Sequence, residues 1–120
     1  MERDMDLFRK ILMEVESLPP SVNWFPLAVE GYSQDAVWYH AQLAHDKGFI
    51  NARFLPGTLE FFVQRLTADG HEFLELARDE TRWNYAKEKV KSTTGTLTVE
   101  ALKLVLSATI QGALKSVIGM

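Results

Sequence analysis

The sequence predicts a mainly α-helical protein carrying one small β-hairpin. Three observations support this. Apolar residues recur at helical spacing in four separate stretches. A glycine at position 48 closes one of these stretches and runs straight into Phe49-Ile50, where strict alternation takes over. A Pro56-Gly57 turn signal then separates two alternating runs within residues 50–65.

The first helix follows from Leu7, Phe8, Ile11, Leu12 and Val15, with Asp4 or Asp6 placed where an acid favours a helix N-terminus. Pro19-Pro20 stops it, because the ring of a proline pushes the preceding residue, Leu18, out of the helical region. Residues 21–32 read as irregular. Leu27 and Val29 alternate with Ala28 and Glu30, which predicts one short strand, and Trp24 and Phe25 are expected to plug a gap in the core.

Ser33 is the expected N-cap of the second helix, with Asp35 in its first turn. Val37, Ala41 and Ala44, joined by His40, make a narrow inner stripe, and Gly48 suits a left-handed C-cap. In the hairpin, Ile50, Ala52 and Phe54 are expected on one side of the first strand, and Phe61, Val63 and Arg65 on one side of the second. Thr67 caps a third helix with Asp69 in its first turn, and Gly70 is a blemish costing about 1 kcal/mol against alanine. Phe73, Leu74, Ala77, Trp83, Ala86 and Val90 form its buried stripe, and Lys87, Lys89 and Lys91 gather near its C-terminus, as the helix dipole favours.

The domain reading is a helix–hairpin–helix unit over 1–91, a linker over 92–98, and an apolar helix over 99–118 capped by Thr96 or Thr98. That last helix carries only Glu100, Lys103 and Lys115 as charges. Leu102, Leu106, Ile110, Ala113 and Val117 share one face, and Leu104, Val105, Leu114 and Ile118 add apolar surface elsewhere. A helix apolar round most of its circumference is buried on more than one side. Either it mediates self-association, a homodimer being the simplest form, or it is the central helix of a monomer.

The chain has 120 residues, 47% hydrophobic and 24% charged, as one ordinary globular domain does. It has no cysteine, which excludes disulfides, thiolate zinc sites and thiol catalysis. The segment Met1-Glu2-Arg3-Asp4-Met5-Asp6 is charged with both signs and does not read as a signal peptide. No stretch offers the roughly 20 apolar residues of a membrane span. A cytoplasmic protein with no membrane partner is expected.

The order of elements carries a resemblance. A helix ending in glycine and two hydrophobics, feeding directly into a hairpin, resembles the end of a winged helix-turn-helix. The segment Ser33 to Ile50 is similar to the recognition-helix segment of bacterial winged-helix regulators. It departs from that pattern in leaving little room for a second helix between Pro20 and Ser33. Another resemblance covers most of the chain. Arg3-Asp4-Met5-Asp6-Leu7, Gly31-Tyr32-Ser33, Tyr39-His40, Trp83 and above all the run R-L-T-x-x-G-H-E-F-L-x-x-x-R-D (Arg65 to Asp79) resemble an uncharacterised bacterial and prophage family, domain of unknown function twenty-five-thirteen. This implies a bacterial or phage cytoplasmic protein and no particular activity.

Catalytic chemistry finds little support. His40 and His45 are five apart on one helix and point in different directions, and His71-Glu72 is half of an H-E-x-x-H motif, so no metal is expected. The carboxylates Asp69, Glu72, Glu75, Asp79 and Glu80 alternate with Arg78, Arg82 and Lys87 at i,i+3 and i,i+4 spacings, the pattern of a solvated, salt-bridged face. Phosphate loops, nucleophile elbows and dinucleotide fingerprints are missing. The expectation is a non-enzyme with no cofactor and no small-molecule substrate.

Two binding functions remain. The outer face of the second helix shows Gln34, Asp35, Trp38, Tyr39, Gln42, His45 and Asp46, with two acids and no cation before Lys47. Neighbouring aromatics favour protein interfaces, so Trp38, Tyr39, Gln34, Gln42 and His45 are the candidate partner-binding residues, unless the chain itself covers the aromatics. Self-association would use Leu102, Leu106, Ile110, Ala113 and Val117. The alternative is a dimeric DNA-binding regulator. Its glutamines would read bases while Lys47, Arg53 and Arg65 met phosphates, although these cations supply little of the affinity that phosphate contacts normally provide.

Overall fold

The fold, known from a computed structural model, is mainly helical with a small three-stranded antiparallel sheet. The structure describes the backbone of residues 1–118 and the side-chain surroundings of residues 1–110. Helix α1 spans Met5–Glu16, strand β1 Phe25–Pro26, α2 Gln34–Asp46, β2 Ile50–Phe54, β3 Phe61–Leu66, α3 Ala68–Ala77, α4 Glu80–Thr94 and α5 Val99–Ile118. The chain divides into two compact units, residues 1–74 and 75–120, and the boundary falls inside α3.

In the first unit, Asp4 starts α1 by accepting the N–H groups of Asp6 and Leu7 at 3.0 and 3.1 Å, which satisfies two of the free donors of a helix N-terminus. Leu7, Phe8, Ile11, Leu12 and Val15 are all buried, so the 3.6-residue period marks the core face, as expected. The rings of Phe8, Phe49 and Phe73 meet in one cluster. Phe49 and Phe73 stack at 5.3 Å, and Phe8 meets each edge-on at 6.0 Å. Both are favoured aromatic geometries.

The sheet order is β1-β3-β2. The short strand forms at Phe25–Pro26 rather than at Leu27–Val29. Phe25 pairs with Val63 and Pro26 with Phe62, and an edge strand tolerates the missing proline N–H. Leu27 and Val29 are buried outside the strand, and Trp24 and Phe25 are half-buried rather than core.

A second correction concerns phase. Asn51 pairs with Arg65, but Ala52 pairs with Val63, so Gln64 is the extra residue of a β-bulge. The bulge shifts the side-chain alternation by one residue. Phe61 and Val63 are buried as expected, but the next inward position falls to Leu66, and Arg65 is exposed. Gln64 ties the irregularity down. Its amide nitrogen donates to the Val22 carbonyl at 3.2 Å and its carbonyl oxygen accepts from Asn51 at 3.4 Å.

The third helix of the sequence reading is two helices. Asp79 takes an extended conformation and caps α4, its carboxylate accepting the Arg82 N–H at 2.8 Å. The buried stripe continues across this break, so the apolar period gave no sign of it. The helix α4 then runs to Thr94 and leaves only residues 95–98 between it and α5. In the second unit, Trp83, Ala86 and Val90 of α4 and Val99, Leu102 and Leu106 of α5 are buried. Thr98 caps α5 by accepting the Ala101 N–H at 3.1 Å.

Gly70 is no blemish. A Cβ at this position would lie 2.0 Å from the Phe49 carbonyl oxygen and 2.9 Å from its carbon. The start of α3 therefore sits directly on the backbone that leaves α2, and glycine is the residue that permits it.

Candidate functional site

Ser33 sets the start of α2 by accepting the Ala36 N–H at 3.2 Å. From there, the 3.6-residue turn sorts the side chains into three stripes. Val37, His40, Ala41 and Ala44 face the core and are buried. His40, 1% exposed, is fully used. Its Nε2 accepts the Asp4 N–H at 2.7 Å, so its Nδ1 carries the proton that is donated to the Ala36 carbonyl at 2.8 Å. The imidazole therefore joins α2 to the cap of α1.

The second stripe is Gln34, Trp38 and His45, and the hairpin lies against both of its ends. The Gln34 amide donates to the Leu59 carbonyl at 3.3 Å, and the His45 ring meets Phe54 edge-on at 5.6 Å. Phe54 in turn stacks on Phe61 at 5.4 Å. Trp38, between those ends, is half-buried, and its buried indole nitrogen has no hydrogen-bond partner among the described residues. Gln34 and His45, two of the five expected partner-binding residues, thus touch the protein's own hairpin while remaining exposed.

The outermost stripe is Asp35, Tyr39, Gln42 and Asp46. Both carboxylates are exposed, and Tyr39 and Gln42 are half-buried. The stripe holds two acids and no cation. Of the candidate nucleic-acid contacts, Lys47 follows the stripe's last acid and the two arginines lie on the hairpin. Arg53 lies over the Trp24 ring, 4.5 Å from its centroid, a cation–π contact. Arg65 sits at the opposite end of the hairpin, paired with Asn51, and donates to the Leu66 carbonyl at 2.9 Å. Lys47 is exposed at the C-cap of α2.

The long loop between the strands was legible as a candidate functional segment, but its two leucines were not singled out. Leu55 and Leu59 are 37% and 41% exposed on either side of Pro56-Gly57. The turn is held by the Leu55 N–H on the Glu60 carbonyl at 3.1 Å, the Thr58 N–H on the Leu55 carbonyl at 3.2 Å, and the Thr58 hydroxyl capping the Glu60 N–H at 3.0 Å. The signal was two leucines inside a turn, where polar residues are the rule.

Of the expected self-association residues, Leu102 and Leu106 are fully buried within the single chain and Ile110 is half-buried. Ala113 and Val117 lie outside the residues whose side chains are described. Among the described residues of α5, Leu104 is a large apolar side chain left 72% exposed. A cleft of about 550 Å³ runs between the end of α1, the Pro19-Pro20 turn and the start of α3, with Arg65 and His71 at its rim. Among the described residues, no group of three or more His, Cys, Asp or Glu could hold a metal ion, and no helix is long and apolar enough to cross a membrane.

The family model described as "Hypothetical protein (DUF2513)" matches residues 2–96. An "Uncharacterized protein" of Haemophilus influenzae is 33% identical over 108 residues, covering 88% of this chain and 92% of that one. No solved structure matches.

Proposed function

The chain belongs to the family described as Hypothetical protein (DUF2513), and from that premise we propose that it is a cytoplasmic bacterial or phage adaptor or regulator that acts through protein–protein contacts. The observation that carries the reading is the state of α2. The stripe nearest the hairpin touches it through Gln34–Leu59 and His45–Phe54, with Gln34 and His45 themselves exposed. The outer stripe displays Asp35 and Asp46, and the exposed cation at its end is Lys47 at the C-cap. Phosphate contacts from cations supply most of the affinity of ordinary duplex binding, and this surface would repel phosphate. A stripe with one tyrosine among polar residues, together with two exposed leucines on a hydrogen-bonded hairpin tip, suits a protein surface, where aromatic and apolar anchors carry the binding energy. The reading includes no catalytic step and no cofactor.

The DNA-binding alternative draws on one observation, the direct run of α2 into a β2–β3 hairpin, which supports a winged-helix arrangement with a recognition helix and a wing. Mobility shift of mixed-sequence duplex DNA separates the two. At a salt concentration of about 50 mM, the protein-contact reading expects no retardation at micromolar protein, whereas DNA binding through α2 produces retardation that falls steeply as salt rises.

A further inference from the structure

We propose that the cleft between the end of α1, the Pro19-Pro20 turn and the start of α3 binds a small monocarboxylate with a compact apolar body. The proposal goes beyond the protein-contact reading and does not depend on it. Every residue that lines the cleft lies within residues 1–74, and so in one of the two units.

It starts from the run R-L-T-x-x-G-H-E-F-L (Arg65 to Leu74) and from what packing leaves unexplained there. Leu66, Phe73 and Leu74 are core residues, the Thr67 hydroxyl accepts the Gly70 N–H at the start of α3, and Gly70 lies on the Phe49 backbone. Arg65 and His71 are exposed, so burial accounts for neither. One stands on β3 and the other on α3, yet both line this cleft. Glu72, another exposed residue of the run, does not line it.

The cleft holds about 550 Å³, within the roughly 300–1,000 Å³ of small-ligand sites. Val15, Leu18 and Leu66 give it apolar walls. Pro19 and Pro20 add a stiff one, because their rings fix φ. Arg65 supplies the charge. The bulge at Gln64 takes it off the buried side of β3. Its Nη1 donates to the Leu66 carbonyl at 2.9 Å, which holds the guanidinium against the chain and leaves most of its five donors over. That fork matches a carboxylate with two parallel hydrogen bonds. Glu16, half-buried at the end of α1, is the carboxylate among the lining residues and has an interaction of its own. Its charge opposes a second negative charge on the ligand, which favours a monoanion over a phosphate or a diacid.

Titration of the nitrogen-15-labelled full chain with hexanoate, phenylacetate and indoleacetate, each against its neutral amide, tests this. The acids are expected to give saturable shifts confined to the amide signals of residues 15–21 and 64–71. Each neutral amide is expected to bind at least about 10-fold more weakly, because it lacks the charge-assisted pair. Arg65→Gln removes the charge and keeps a donor for the Leu66 carbonyl. It is expected to weaken the acids by about the same factor and to leave the amides unchanged. Ser21→Asp keeps an oxygen to accept the Asn23 N–H, which Ser21 holds at 2.9 Å, and adds a like charge to the wall. It is expected to weaken the acids alone. Circular dichroism checks that both variants fold. No saturable shift with any of the acids overturns the proposal. So do amides that bind as tightly as the acids, or acid binding that survives Arg65→Gln. Those outcomes leave the protein-contact reading standing, because that reading concerns α2 and the hairpin tip.

Discussion

Gly70 rests on the carbonyl of Phe49 so closely that a Cβ on Gly70 would lie 2.0 Å from that oxygen. The contact joins the chain leaving α2 to the chain entering α3, and Thr67 fastens the same joint. Its N–H donates to the Phe49 carbonyl at 2.9 Å, its hydroxyl donates to the Gly48 carbonyl, and the hydroxyl oxygen accepts the Gly70 N–H at 3.1 Å. Gly48 itself has a φ of 73°, in the left-handed region that glycine adopts freely. The motif T-x-x-G is thus a clasp between two helices and the sheet.

Gly70→Ala is expected to destabilise the protein by about 1–3 kcal/mol, the usual cost of overpacking, because the neighbour that must give way is backbone. On an open helix surface the same change would stabilise by about 1 kcal/mol. Urea unfolding followed by circular dichroism reads the sign, and a stabilised variant would show that α3 does not approach Phe49 this closely.

Thr67→Val keeps the shape of the side chain and removes the hydroxyl. It is expected to cost about 1–2 kcal/mol, as loss of an N-cap does. Thr67→Ser keeps the hydroxyl and is expected to retain most of that stability. A loss in Thr67→Ser with none in Thr67→Val would place the effect in the methyl group and not in the hydroxyl.

His40 is expected to hold its proton on Nδ1, because Nε2 is the acceptor of the Asp4 N–H. Nitrogen-15 correlation through the ring protons distinguishes the two tautomers directly. His40→Leu leaves the Asp4 N–H without its acceptor and is expected to cost about 1–3 kcal/mol. An Nε2-protonated ring would remove the link between α1 and α2.

Leu104 and Leu106 differ by two residues and are expected to behave oppositely. Leu106 is fully buried and Leu104 is 72% exposed. Leu106→Ala should cost about 2–5 kcal/mol, as large-to-small core changes do, whereas Leu104→Ala should stay within about 0.5 kcal/mol. Thermal melts of the two variants decide it. Similar melting points would mean that Leu106 is not a core residue.

What the sequence showed was what periodicity records. Leu7, Phe8, Ile11, Leu12 and Val15 were legible because one face of α1 is buried, and Ser33 and Gly48 because caps have their own chemistry. The break at Asp79 was hidden. Ala77, Trp83, Ala86 and Val90 keep an apolar stripe running across it, and only the capping carboxylate of Asp79 marks the new start. The bulge at Gln64 was hidden for a related reason. Alternation assigns a phase but cannot register one extra residue, so Arg65 was expected where Leu66 is found. Gly70 was misjudged because its neighbour, Phe49, is 21 residues away and the reason for the glycine is a tertiary contact. The candidate site was half legible. The acids and aromatics of α2 were named, but which of them the hairpin would engage depends on how the hairpin lies against α2.

The proposed function requires that the outer side of α2 meet protein and not read duplex DNA. The most direct measurement is titration of the nitrogen-15-labelled protein with duplex DNA at about 50 mM salt, where phosphate attraction is strongest. The amide signals of residues 33–47 and of the hairpin tip, 55–60, are expected to remain in place. Shifts confined to those residues and reversed by added salt would contradict the proposed function.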